Sequence, residues 1–392
     1  MKNKLNKLVY VDNAATTKVR DEVVKEMLPF FTERYGNPSS LYNVGFDAAK
    51  ALNEAREKIA KLIGAKPNEI IFTSGGSESD NTALRGIAAK KQKGHIITTN
   101  IEHHAISHTL NDLEKQGFEV TYLPVSSEGL ITAKQVEDAI REDTILITIM
   151  TANNEIGTIM PIKEIGEIAK AKKIPFHTDA VQAVGHMHID VKEMNIDLMS
   201  ASAHKFNGPK GVGFLYCRGG VYLKNFITGG AQERNKRAGT ENVAGIVGMA
   251  KALEIAVENM DEINARLLKM RERLIDGILN SIEYSRLNGS REKRMPSNVN
   301  VSIEFIEGES LILTLNMYGI CASSGSACTT GSLDPSHVLL AIGLSHDVAH
   351  GSLRISLGEF NDESDVDYIL EVLPKAVKRL RDMSPLWDKR SK

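Results

Sequence analysis

The chain has 392 residues, 42% of them hydrophobic and 25% charged, with 48 Lys plus Arg against 50 Asp plus Glu and a net charge of −2. That length exceeds one ordinary core and suggests two domains, and the composition is that of a soluble globular protein, neither disordered nor membrane-embedded. The balanced charge offers no general attraction to nucleic acid or to an anionic membrane surface.

Residues 1–11 mix lysines with a few apolar residues and are followed by no secretory apolar core or cleavage site. No apolar run approaches the roughly 20 residues that a bilayer requires. Three cysteines, Cys217, Cys321 and Cys328, are too few and odd in number for a disulfide framework. A reduced, cytoplasmic setting is the expectation. The first helical pattern, 46–63, has Phe46, Leu52, Ala55, Ile59 and Leu62 on one side and could pack with either domain.

Strand-like runs then follow at 69–73, 95–99, 119–124, 144–150, 175–178, 197–202 and 211–216. Amphipathic segments separate them, such as 162–173, where Ile162, Ile165, Ile168 and Ala169 recur at helical spacing. This alternation predicts an α/β fold with a mainly parallel sheet covered on both faces. Such sheets bind ligands at the carboxyl ends of their strands. Beyond about residue 240 the pattern changes to one long helix over 243–280. A smaller α+β pattern follows, with strands at 298–303, 320–323 and 352–357 and helices at 309–318, 336–342 and 362–381. The expected division is a large domain over 15–260 and a small one made of 1–14 and 261–392, with a cleft between them.

Three strand ends carry chemistry. Residues 73–81 (Thr-Ser-Gly-Gly-Ser-Glu-Ser-Asp-Asn) follow a strand and open a helix. Glycines, hydroxyls and a helix N-terminus suit an anion such as a phosphate; an ordinary loop with Ser77 as N-cap is the alternative. Asp179 ends the next such strand, where a buried carboxylate needs a partner. A pyridinium N–H is one partner, and a helix cap before 180–184 is another. Lys205 follows an apolar strand within 200–211 (Ser-Ala-Ser-Ala-His-Lys-Phe-Asn-Gly-Pro-Lys-Gly), flanked by small residues that admit a planar group. A lysine in a desolvated cleft can bind an aldehyde covalently; a surface lysine in a glycine-rich turn explains the glycines but not the run before it.

Residues 322–332 (Ala-Ser-Ser-Gly-Ser-Ala-Cys-Thr-Thr-Gly-Ser) lack the bulk to build a core. They read as an exposed, mobile loop in which Cys328 is a candidate thiolate nucleophile. Cys217 and Cys321 sit on strands, where packing is the expected role. Arg354 lies inside an apolar strand and needs an anion, either an amino-acid carboxylate or an internal acidic neighbour.

The phosphate loop, the strand-end Asp with Gln182 three residues on, and Ser202-x-His204-Lys205, in that order, resemble the fold-type I pyridoxal-phosphate (PLP) enzymes of the class V aminotransferase family. Within it, the stretches at 10–17, 36–40 and 384–387, with the Cys328 loop, resemble the NifS/IscS-type cysteine desulfurases. The resemblance implies PLP bound through Lys205, with Asp179 on the pyridine nitrogen and Gln182 and Asn154 near the ring hydroxyl. It places His103 on the ring face and Gly76, Ser77, Ser202 and His204 on the phosphate. Thr240 would reach that phosphate from a second subunit, which implies a homodimer. Arg354, assisted by Asn37, would take the carboxylate of L-cysteine, and Cys328 would receive the sulfur as a persulfide for an acceptor such as an iron–sulfur scaffold. Catalysis would fall to Lys205, Cys328 and His103, with no metal. The Gly76-Ser77 pair departs from the family's more familiar small residue plus Thr, and the sequence ends soon after Trp387, without the longer tail with which some members dock a scaffold. Another PLP reaction on the same fold would not need the Cys328 loop, and a non-catalytic scaffold would not need Lys205.

Overall fold

The computed structural model describes residues 7–324 and 335–388. Its strands, in chain order, are β1 (Val9–Tyr10), β2 (Ile70–Thr73), β3 (His95–Thr99), β4 (Glu119–Leu123), β5 (Thr144–Thr148), β6 (Phe176–Asp179), β7 (Leu198–Ser202) and β8 (Gly213–Cys217). Then come β9 (Ser285–Leu287), β10 (Asn298–Ile303), β11 (Ile320–Cys321) and β12 (Ser352–Ser356). Seven strands form one sheet in the order β2-β8-β7-β6-β5-β3-β4. The pairs from β7 across to β4 are parallel, while β8 runs antiparallel to both β7 and β2.

Side chains alternate across this sheet, because successive residues of a strand point to opposite faces. Ile71, Ile96, Leu146, Leu198 and Leu215 pack with helices Gly76–Ala88 and His104–Lys115. Ile70, Phe72, Ile97, Ile147, Met199 and Phe214 pack on the other face with helices Asn43–Leu62, Ile162–Lys172 and Val243–Glu258. Both faces are thus dry, as a parallel sheet requires. Each such aliphatic or aromatic side chain contributes about 1.5–3 kcal/mol by leaving water. The pattern at 46–63, whose sequence suited either domain, packs into this core through Leu52, Ala55 and Ile59, with Leu62 at its edge, while Phe46 is exposed.

A second core joins Val9 and Val11 to Leu274, Val301, Leu353, Ile355, Ile369 and Leu373. Here β12-β10-β9 form an antiparallel sheet, and β1 pairs in parallel with β11. Helices Met260–Ser281, Gly308–Met317 and Glu363–Asp382 supply the remaining apolar faces.

Several boundaries differ from the sequence expectation. The helix expected over 243–280 is two helices, Val243–Glu258 and Met260–Ser281, broken at Asn259. The Asn259 amide donates to the Ile255 carbonyl at 2.8 Å and so ends the first helix with a side-chain bond. β8 begins at Gly213 rather than 211 because Gly211 has φ +74 and turns the chain. Residues 180–184, offered as a helix capped by Asp179, form no helix, and the chain turns over 181–186. The strand expected at 320–323 pairs only over β11, with Ser323 bridging singly to Arg354. Among the described residues, no helix is long and apolar enough to cross a membrane.

Candidate active site

At the carboxyl ends of β2, β3, β6 and β7 the chain leaves the sheet into one cleft, and the second core closes it with β12. After β2, the loop at Ser74–Gly75 leads into helix Gly76–Ala88. A Cβ at Gly76 would stand 2.6 Å from Val181 Cγ2, so the close approach of this helix to the β6 turn requires glycine. The loop is fixed by Thr73 Oγ1 against Ser79 Oγ at 2.8 Å and by Ser74 N–H donating to Glu78 Oε2 at 2.8 Å.

Asp179 ends β6, the middle strand of the seven-stranded sheet, and its Oδ1 accepts the Val181 N–H at 2.9 Å. Burial raises its pKa, against the pull of that N–H and of the Lys205 charge. After β7 a short turn, Ala203–Lys205, carries Lys205 Nζ to the carbonyls of Ala14 at 2.6 Å and Ala15 at 2.8 Å. Gln182 Nε2 donates to the same Ala14 carbonyl at 3.0 Å. The N-terminal segment thus crosses from the small core to fasten the lysine turn. His204 meets Thr16 Oγ1 at 3.1 Å, and burial followed by the charges of Lys205 and Lys210 pushes its pKa down to about 4.

His103 follows β3 and caps helix His104–Lys115, its Nδ1 accepting the Ala105 N–H at 3.1 Å. That bond leaves the proton of the neutral ring on Nε2. Burial, then the Lys205 charge, then His104 and His108 push the pKa of His103 down to about 4. From the small core, Arg354 is 2% exposed and donates to Asp12 Oδ1 at 2.9 Å and to the Asn154 carbonyl at 3.0 Å. Of the two sequence readings, this internal pair is the arrangement present. Its Nε has no hydrogen-bond partner among the described residues, so the guanidinium retains donor capacity.

The cleft encloses about 1250 Å³, its open mouth included, and is lined by Gly76, Ser77, Ser202 and His204 together with His103, Asn154, Asp179, Gln182, Lys205 and Arg354. Two expected residues stand elsewhere. Thr240 is exposed beside Thr73 and Ser74 on another face. Asn37 is exposed, its side chain accepting the Ser39 N–H at 2.9 Å. Cys328 lies outside the described residues. Cys217 is buried and its thiol is pushed up to about 11 by that burial, which suits the packing role read for it, while Cys321 is half-buried.

The sequence reading missed two buried acids in the cleft. Asp80 lies one helical turn beyond Gly76, on the face turned to the sheet. It is 1% exposed, its Oδ1 has no hydrogen-bond partner among the described residues, and His177 Nε2 lies 3.7 Å away. Burial and then Asp179 drive its pKa well up. Glu155, beside Asn154, is pushed up to about 7 by burial and accepts a bond from Ser336. The available signal was helical phase for Asp80 and adjacency for Glu155; neither specifies burial. His104 and His337 lie with ring centroids 4.9 Å apart and rings tilted by 41° on the same cleft. Among the described residues, no cluster of His, Cys, Asp or Glu is arranged to hold a metal.

The donor set fits PLP: hydroxyls and helix N–H groups at one end suit a phosphate, a strand-end carboxylate suits the pyridine N–H, and an amine stands between them. Together, the sheet and this cleft define an α/β enzyme of fold type I. The family description "Aminotransferase class-V" matches residues 9–369, and the chain belongs to that family of PLP-dependent enzymes. It is similar to the cysteine desulfurase IscS of Clostridium botulinum, 61% identical over 98% of each chain. It also resembles a solved NifS-like protein, at 42% identity and TM-score 0.90, covering 95% of this chain and all of that one. A second solved structure, SspA in complex with cysteine, is 41% identical with TM-score 0.80, covering 90% of this chain and all of that one.

Proposed function

We propose that this chain is a cysteine desulfurase, converting L-cysteine to L-alanine and moving the sulfur to Cys328 as a persulfide. The observation that carries this reading is the position of the Lys205 amine in a cleft shared with Asp179, His103 and Arg354. PLP, when bound, supplies the electron sink that lets bonds at the substrate carbons break. Lys205 would hold the cofactor aldehyde, and its amine would move protons at the substrate carbons. Asp179 would hold the pyridine N–H, Gln182 and Asn154 would hold the ring hydroxyl, and neutral His103 would cover the ring face. Gly76, Ser77, Ser202 and His204 would take the phosphate, and Arg354 would take the substrate carboxylate, whereas Asn37 is exposed outside this cleft.

The sulfur step balances within these groups. The Cys328 thiolate attacks the substrate sulfur, an S–S bond forms and the C–S bond breaks. The C–S electron pair returns to carbon and is protonated, giving alanine. The outer persulfide sulfur then passes to an acceptor such as an iron–sulfur scaffold.

The working unit is a homodimer in the cytoplasm. Large exposed apolar side chains at Phe31, Tyr35, Leu41, Tyr42 and Phe46 favour a covered face there. Thr240, away from the cleft of its own chain, serves the phosphate of a second copy. The two cores support a large domain over 15–260 and a small one of 1–14 and 261–392, except that Val338, Leu339, Ile342, Leu344 and Ala349 pack into the large-sheet core. Purified protein given L-cysteine and a thiol reductant should form alanine and sulfide in equal amounts while its visible PLP absorbance shifts. A shift without sulfide would move the reaction to another amino acid, and absence of a PLP band after adding PLP would overturn the site.

A further inference from the structure

The cofactor-phosphate loop contains a charge that opposes its purpose. Glu78 lies in the first turn of helix Gly76–Ala88, on the same turn as Gly76 and Ser77, and its side chain is 8% exposed. A bare carboxylate there would repel a phosphate dianion. It is not bare: Arg237 grips both oxygens, Nε to Oε1 at 2.9 Å and Nη2 to Oε2 at 3.1 Å. Oε2 also accepts the Ser74 N–H, so the same carboxylate orients the loop backbone. Burial opposes ionisation of Glu78, but the guanidinium and the Ser74 N–H outweigh it and hold the carboxyl below its usual range.

The segment that brings Arg237 is held at some cost. Glu233, Arg234 and Asn235 are three consecutive non-glycine residues with left-handed φ of 47, 58 and 63°, a conformation that L-residues avoid. A buried ion pair fixes the turn: Glu233 accepts from Arg56 at 2.6 and 2.9 Å and from the Phe72 N–H of β2 at 2.8 Å. One short segment therefore grips the loop before it, at Phe72, and after it, at Glu78. Strain kept in place by a buried pair at a ligand loop is the mark of a position under functional constraint.

We infer that Arg237 is a positioning residue for the cofactor phosphate: it neutralises Glu78 and, through that carboxylate, holds the Ser74 N–H and the first turn of the helix in their anion-receiving arrangement. This rests on the phosphate-end reading of the cleft given above.

The test uses the full chain stripped of cofactor, confirmed folded by circular dichroism, and titrated with PLP and separately with pyridoxal, which lacks the phosphate. Arg237→Gln should weaken PLP binding at least tenfold (about 1.4 kcal/mol) and leave pyridoxal binding unchanged. Arg237→Lys should stay near the parent. Arg237→Gln/Glu78→Gln should recover most of the loss, because the uncompensated charge is gone. The inference is overturned if Arg237→Gln binds PLP like the parent, if both ligands weaken equally, or if the double variant is no better than the single. A parent protein that binds PLP no tighter than pyridoxal would overturn the phosphate site itself, and the role of Arg237 with it.

Discussion

On the floor of the cleft, buried titratable groups are driven toward neutrality, whereas on the small-core wall a guanidinium stays charged and is matched by a carboxylate. The floor holds Asp80 and Asp179, with Glu102 and His177 buried next to them. Burial raises the pKa of every acid there and pushes His177 down to about 3. The wall offers Arg354, whose buried guanidinium takes Asp12 and a carbonyl as partners. The difference teaches where each region can accept a ligand. In the proposed function, the floor would rearrange its protons around the ring, and the wall cation would exchange Asp12 for the substrate carboxylate.

The largest expected effect comes from removing the amine between the two regions. Lys205→Ala should reduce alanine formation from L-cysteine to background while the circular dichroism spectrum stays that of the parent. Next, Arg354→Gln should raise KM for L-cysteine about 10–100-fold, the range of a lost charge-assisted hydrogen bond of about 1.5–3 kcal/mol. An unchanged KM would remove Arg354 from the substrate site.

The floor is tested by pH. Glu102 accepts bonds from Thr99 and the Met150 N–H at one oxygen, has no partner for the other among the described residues, and is pushed by burial to about 8 from an ordinary 4.5. The folded chain thus binds more protons than the unfolded one between those values, and stability falls as pH rises through that window. Glu102→Gln removes this fall. Urea unfolding should show the variant gaining on the parent between about pH 5 and about pH 8, by on the order of 1–3 kcal/mol. His103 acts with the opposite sign: its pKa of about 4 lies below the ordinary 6.5, so stability is lost as pH falls between them. The smallest effect belongs to Asp12→Asn. Weakening the resident partner of Arg354 should lower KM for L-cysteine about two- to fivefold, opposite in direction to Arg354→Gln.

The floor was more legible in sequence than the wall. Each strand of the large sheet announces itself by a short apolar run, and the residues that follow it in sequence also follow it in space, so Asp179 and Lys205 were readable as strand-end groups. Asp80 was not, because helical phase specifies a face but not that the face is dry. On the wall, Arg354 was readable as a buried cation, but its partner Asp12 lies 342 residues earlier. No local pattern encodes a pairing that only the crossing of the N-terminal segment creates. The break at Asn259 was hidden for a related reason: the apolar periodicity continues across it, and only the side-chain bond to Ile255 marks the end.

In the proposed function, sulfur leaves L-cysteine in the Lys205 cleft and lands on Cys328. The most direct measurement is the peptide mass of the PLP-loaded protein quenched after a single turnover with L-cysteine in the absence of reductant. The peptide carrying Cys328 should be heavier by one sulfur atom, with one alanine released per modified chain. Alanine released with no added sulfur on that peptide, or sulfur found on Cys217 or Cys321 instead, would contradict it.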